Sequence, residues 1–279
     1  MKGWIALDID GTLTEGMEPI SEEVASHLRS LFNEGWKIVL VTGRTFSFAE
    51  KALIYCQFPY FFAVQHGADL LEMPLKRVIE RYYLPHELFA VLDEIYKNEP
   101  ENYLVYAGVD RGDFCFYRPH RFSQELLHYF LKLKLLSKES WKEVENFDEV
   151  YHFSLVKCLG SERSMYRIKE KLSSNPQITS IVIRDPLNPK LHLNMITHHE
   201  ATKGKTLLRL QKSLKNKLPI IAAGDDWNDL SLLEVADVKI VIETAPKELL
   251  EKADIIAQRP NKRGIIPALQ KALSLKKSI

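Results

Sequence analysis

The chain has 279 residues, 46% of them hydrophobic and 27% charged, and Lys+Arg 38 against Asp+Glu 37 leaves a net charge of +1. That balance lacks the basic footprint of a nucleic-acid binder, and the length suits one large or two modest domains, each with its own core. No apolar run approaches the ~20 residues needed to span a bilayer, Met1 to Gly3 leads straight into a strand-like segment without the charged start and long apolar run of a secretory signal, and Cys56, Cys115 and Cys158 form no CxxC pair and read as reduced thiols of a cytoplasmic protein rather than a metal site.

In chain order, Trp4 to Leu7 is an apolar run of the kind buried in a parallel sheet. A helix follows, with Ser21 as its cap, Val24, Leu28, Leu31 and Phe32 at helical spacing, and Gly35 as its stop. Lys37–Val41 reads as the next strand, residues 46–56 as a helix and Phe61–Val64 as a third strand, which is a doubly wound α/β beginning. From about Pro85 the rhythm changes. Residues 86–98 and 122–136 read as helices, and Tyr103–Tyr106, Asp113–Tyr117, 151–156, 180–183 and 191–196 as strands, with Arg111-Gly112 as a turn. The βα rhythm returns near Lys203, with strands expected at Pro219–Ala223, Val238–Ile242 and Asp254–Ala257. Residues 1–84 and 198–279 thus read as a Rossmann-like parallel α/β core interrupted by an α+β insert over 85–197.

Four short pieces carry chemistry, and each lies where a core strand ends or a helix begins, the place where open α/β sheets hold ligands. They are Asp8-Ile-Asp-Gly-Thr12, Thr42-Gly-Arg44, Thr202-Lys-Gly-Lys205 and Gly224-Asp-Asp-Trp-Asn-Asp229. Together they supply carboxylates, a lysine, a hydroxyl and small-residue amides. Carboxylates without His or Cys suit a hard cation such as Mg²⁺; the lysine, hydroxyl and amides suit a phosphate. Taken singly, each piece has a plainer reading: paired aspartates as turn formers, Thr42-Gly-Arg44 as a strand-ending turn, Asp225-Asp226 as acids favoured at a helix N-terminus, Lys203 and Lys205 as solvated charges. Their joint occurrence in order is what points to a site.

The four pieces resemble, in order, the motifs of the haloacid dehalogenase (HAD) superfamily, and an insert between the second and third resembles the Cof-like branch, metabolite phosphatases with a class II cap. The resemblance runs through nearly the whole chain, since Ala253-Asp254 to Leu269 also looks like that branch. It implies Asp8 as the nucleophile that becomes an aspartyl-phosphate, and Asp10 as general acid and base, with its backbone carbonyl on the metal. It implies Thr42, Gly43, Lys203 and Asn228 around the phosphoryl group, Asp225 as a further carboxylate on Mg²⁺, and Asp229 and Arg44 as supports that orient these groups. Asp226 and Trp227 stand at free positions of the motif. Two departures stand out: His66 precedes Gly67-Ala68 where this branch usually carries asparagine, and Thr244-Ala245 stands where a Gly-Asn-Ala-like piece is common. His198-His199 reads as surface or packing, because Mg²⁺ prefers oxygen.

The expected function is hydrolysis of a small phosphorylated metabolite by a monomer or homodimer, without nucleic-acid or membrane partners. A phosphotransferase or mutase is the enzyme alternative, and a metabolite-binding scaffold the non-catalytic one.

Overall fold

The structure is a computed structural model that describes residues 1–137 and 139–276. Strand β1 (Gly3–Asp8) is buried along its whole length. Its side chains alternate between two apolar clusters, Ile5 and Leu7 on one face of the sheet and Trp4 and Ala6 on the other. Such two-sided burial is why the segment reads as a continuous apolar run. Helix α1 (Glu22–Asn33) starts where the Ser21 hydroxyl accepts the Val24 N–H, and it buries Val24, Ala25, Leu28 and Leu31. It leads through Gly35 to β2 (Trp36–Val41). The helix expected over 46–56 is instead α2 (Phe46–Ala49) followed by a tighter 3₁₀ turn over Glu50–Leu53.

After β3 (Tyr60–Val64) the chain forms a hairpin that the sequence reading passed over, β4 (Asp69–Met73) and β5 (Arg77–Arg81). Both pair antiparallel, so the core sheet is mixed at this edge rather than wholly parallel. Then come α3 (Leu88–Tyr96), β6 (Tyr103–Ala107), β7 (Cys115–Tyr117), α4 (Gln124–Ser137) and β8 (Trp141–Glu143). They are followed by β9 (Phe153–Gly160), α5 (Glu162–Leu172), β10 (Ile178–Arg184) and β11 (His192–His198). The chain closes with α6 (Lys203–Ser213), β12 (Ile220–Gly224), α7 (Leu230–Glu234), β13 (Val238–Ile242), α8 (Lys247–Leu250), β14 (Ile255–Ala257) and α9 (Ile265–Lys276).

Two sheets result. The eight-stranded one runs β14-β13-β12-β1-β2-β3-β4-β5 and the six-stranded one β10-β11-β9-β6-β7-β8. In the first, β1 has β2 on one side and β12 on the other, both parallel. The winding therefore reverses at β1, and its carboxyl end, with those of β2 and β12, opens the crevice where this fold binds ligands. The second sheet, entirely from the insert, is an α+β cap with apolar clusters on both faces: Tyr103, Val105, Val156 and Ile196 on one, Leu104, Tyr106, Leu155 and Met195 on the other.

The cap is seated on the core by polar contacts from the segments that follow β2 and β3. Gln65 donates to the Ala107 carbonyl at 3.3 Å and accepts from the Ser154 hydroxyl. Asp113 accepts the Ser47 N–H at 2.6 Å, and Thr45 donates to Glu139. Cys56, Cys115 and Cys158 are free and buried. No described helix is long and apolar enough to cross a membrane.

Candidate active site

Asp8 is the last residue of β1 and is 2% exposed. Its Oδ1 accepts from the Lys203 ammonium at 2.5 Å, while Oδ2 is buried without a hydrogen-bond partner. Lys203 opens α6, where the Thr202 hydroxyl caps the helix by accepting the Lys205 N–H. The first turn can lie this deep because Gly204 has no side chain; a Cβ there would stand 2.0 Å from the Ser231 carbonyl oxygen. The ammonium also donates to Asp229 Oδ1 at 2.5 Å. The other Asp229 oxygen accepts the N–H groups of Asp225 and Asp226, which fixes the loop after β12.

Carboxylate oxygens of Asp8, Asp225 and Asp229 lie within 4.8 Å of one another. Asp225 approaches over Gly11, whose φ is +84° and where a Cβ would meet Asp225 Oδ2 at 2.0 Å. The left-handed turn and the missing Cβ are both required there. Thr12, present in the motif but given no role by the sequence reading, donates to Asp225 Oδ1 at 3.1 Å.

The electrostatics follow from two buried carboxylates, Asp8 and Asp229, and the half-buried Asp225 around one ammonium. Burial, then the Asp229 charge, push the Asp8 carboxyl up to about 8 against the opposing pull of Lys203. Burial, with Asp8 and Asp229, holds Asp225 well above the ordinary carboxylate range. Burial pulls the Lys203 ammonium down, but Asp229 and Asp8 outweigh it and keep the lysine charged above its usual value. A surplus of buried negative charge and an unpartnered Asp8 oxygen fit an added divalent cation. The donor set is all oxygen, which suits a hard ion.

Asp10 is placed differently. Its side chain turns from this cluster to a fork with Arg44, through Nη2 and through Nε at 2.9 Å, and it accepts from Thr42 at 3.2 Å. Thr42 in turn accepts the Arg44 N–H at 3.0 Å. Of the three aspartates that the resemblance puts on a metal, Asp8 and Asp225 therefore converge through their side chains, Asp10 does not, and Asp229 joins them. Asn228 stands half-buried on the same turn as Asp229 and takes no part in the bonds joining Asp8, Lys203 and Asp229. Asp226 caps that turn, accepting the Trp227 N–H at 2.7 Å.

Gly43 is packed by His66; a Cβ at Gly43 would stand 2.8 Å from His66 Nε2. His66 is 1% exposed, in the left-handed region at φ 60°, with Nε2 3.2 Å from the Met195 sulfur of the cap and Nδ1 without a partner. Lys205, by contrast, is exposed and donates to the His199 carbonyl and to Glu200. His198 rests its ring on Tyr82 and His199, in line with packing.

A family model described as haloacid dehalogenase-like hydrolase matches residues 5–269, and the chain belongs to that family. It is a phosphatase of this superfamily. It is 38% identical over 80 residues to a phosphoglycolate phosphatase of Saccharolobus solfataricus, a match over 29% of this chain and 34% of that one. Over 95% of its length it is 21% identical to a 5-amino-6-(5-phospho-D-ribitylamino)uracil phosphatase of Bacillus subtilis, covering 94% of the latter. Among solved structures, a subclass IIB sugar phosphatase, BT4131, superposes with a TM-score of 0.77 at 18% identity, covering 97% of this chain and 98% of that one. A haloacid dehalogenase-like hydrolase from Bacteroides thetaiotaomicron does so with a TM-score of 0.77 at 21% identity, covering 98% and 100%.

Proposed function

We propose that the protein is a Mg²⁺-dependent phosphatase that hydrolyses a small phosphorylated metabolite through an aspartyl-phosphate on Asp8. The observation that carries this reading is the state of Asp8: one oxygen held by Lys203, the other buried, free and beside Asp225. Asp8, Asp225 and the backbone carbonyl of Asp10 would hold the Mg²⁺, which when bound offsets negative charge on the phosphoryl group. Lys203, Thr42, the Gly43 amide and Asn228 orient the phosphoryl oxygens. One Asp8 carboxylate oxygen forms a bond to phosphorus as the bond to the leaving oxygen breaks, and Asp10 gives the leaving oxygen its proton. Asp10 then takes a proton from the water that attacks phosphorus, and phosphate leaves with Asp8 restored. For this the Asp10 side chain turns from its Arg44 fork toward the leaving oxygen as substrate arrives. Asp229 keeps Lys203 and the loop after β12 in place.

In the same reading, residues 85–197 form a cap that closes over a core of 1–84 and 198–279, admitting small esters and excluding water; residues 277–279 lie outside the described chain. The test is phosphate release across a panel of phosphorylated metabolites with and without Mg²⁺, on wild type and Asp8→Asn. Turnover should need Mg²⁺ and fall at least ~1000-fold in the variant, about 4 kcal/mol of barrier. A folded variant retaining a tenth of wild-type kcat overturns the nucleophile assignment.

A further inference from the structure

The cap presents one cation to the core that the chemistry above leaves unused. Lys157 stands on β9 directly opposite Met195 of β11, so the two side chains leave the same face of the cap sheet close together. That face meets the core, because Met195 touches His66. The Lys157 ammonium lies over the Tyr106 ring, 4.9 Å from its centroid. Lys157 is half-buried, and among the described residues it has no carboxylate within ion-pair distance. Glu139, whose charge reaches Tyr106, is bonded to Thr45 instead. A cation drawn partly out of water without an anion is costly, and a single aromatic face offsets only ~0.5–2 kcal/mol of that.

His66 links this cation to the reacting centre. The Nε2 edge of its ring lies against both Gly43, beside Thr42, and the Met195 sulfur. Burial, then the charges of Lys203 and Lys157, hold the imidazole neutral, down to about 3. Both lysines are thus near enough for their fields to act on it. A neutral ring donating Nε2–H toward the Met195 sulfur leaves the buried, unpartnered Nδ1 as an acceptor.

Resting on the phosphatase reading, we propose that Lys157 and His66 select phosphomonoesters whose leaving alcohol carries a second anionic group. Lys157 pairs with that group, and His66 Nδ1 accepts from a hydroxyl between it and the phosphoryl end. The anion is a carboxylate or a second phosphate; both present oxygens to one ammonium.

Matched substrates test this on the full chain with Mg²⁺: 3-phosphoglycerate against glycerol 3-phosphate for a carboxylate, and glucose 1,6-bisphosphate against glucose 6-phosphate for a second phosphate. The readout is the ratio of kcat/KM within each pair. Wild type should favour the anionic member of at least one pair tenfold or more, mostly through KM. Lys157→Met and Lys157→Gln should bring that ratio to within about twofold of one, and Lys157→Arg should keep most of it. Melting curves identify any variant that fails to fold, and the wild-type ratio decides the matter without one. If wild type turns over the neutral esters or p-nitrophenyl phosphate with no preference for either anion, or if the folded Met and Gln variants keep the preference, the proposal is overturned while the phosphatase reading stands. If no ester is hydrolysed with Mg²⁺, both fall.

Discussion

Lys203 and Lys205 flank Gly204 and differ by two helix positions, about 200° around the axis, so one can face the site and the other cannot. The structure puts Lys203 between Asp8 and Asp229 and leaves Lys205 on the surface with Glu200. A charge desolvated among carboxylates acts far more strongly than a solvated one. Lys203→Ala should therefore lower kcat/KM at least ~100-fold, about 2.7 kcal/mol. It should also lower stability, since two buried carboxylates lose their counter-charge at ~3–5 kcal/mol. Lys205→Ala should stay within a few-fold of wild type, as exposed pairs contribute ~0–1 kcal/mol. Steady-state kinetics on the folded variants check both; the reverse order would put the phosphate-facing lysine at 205.

Elements differ in how openly the sequence announces them, and the reason is burial. β1 and β12 are covered on both faces, so their apolar runs mark them. In β5 the exposed Arg77, Ile79 and Arg81 alternate with half-buried Val78 and Glu80, a pattern that is stable only because β4 pairs with it. Helix α5 carried a readable stripe, Met165, Ile168 and Leu172, that the sequence reading left unused. The pieces of the candidate site were legible because each is a short motif at an element's end. What joins the cap to the core was not, since Gln65 meets Ser154 across 89 positions and no local pattern encodes that pairing. One such joint makes a pH prediction. Asp113, at the turn before β7, is buried against the Ser47 N–H. Burial above all, with Glu139 and Asp69 adding to it, pushes its carboxyl up to about 7 from 3.8. The folded state then binds a proton that the unfolded state has lost, so this group's contribution to stability is present below pH 4 and declines as pH rises to about 7. Asp113→Asn, whose amide oxygen still accepts from Ser47, should be the more stable protein at pH 8. Its advantage should shrink to nothing near pH 4. Urea midpoints at pH 4.5, 6 and 8 measure this; an advantage that grows on acidification would contradict it.

At the scale of the whole molecule, the cap hangs from two connections that run side by side, β5 to α3 and β11 to α6. The Tyr82 ring of the first lies 5.4 Å from that of His198 at the start of the second. Arg209 of α6 fastens them: its guanidinium sits 4.1 Å from the Tyr82 ring centroid and bonds Glu80 at 3.0 Å and the Glu200 carbonyl at 2.5 Å. Each of these interactions is partly exposed and contributes roughly 0.5–1 kcal/mol, too little to govern the fold of either sheet. Their sum is nonetheless of the size that sets local opening against the closed arrangement. Arg209→Ala should thus leave the melting temperature within about 4 °C. It should raise the rate of limited proteolysis near 82–87 and 199–202 at least ~5-fold, the ratio equivalent to ~1 kcal/mol of opening. Because Arg209 touches none of the site carboxylates, kcat/KM should fall for capped, metabolite-sized esters through looser closure, and much less for p-nitrophenyl phosphate. A large drop in melting temperature with unchanged cleavage at the two connections would make Arg209 a support of the core sheet instead of the fastening of the cap.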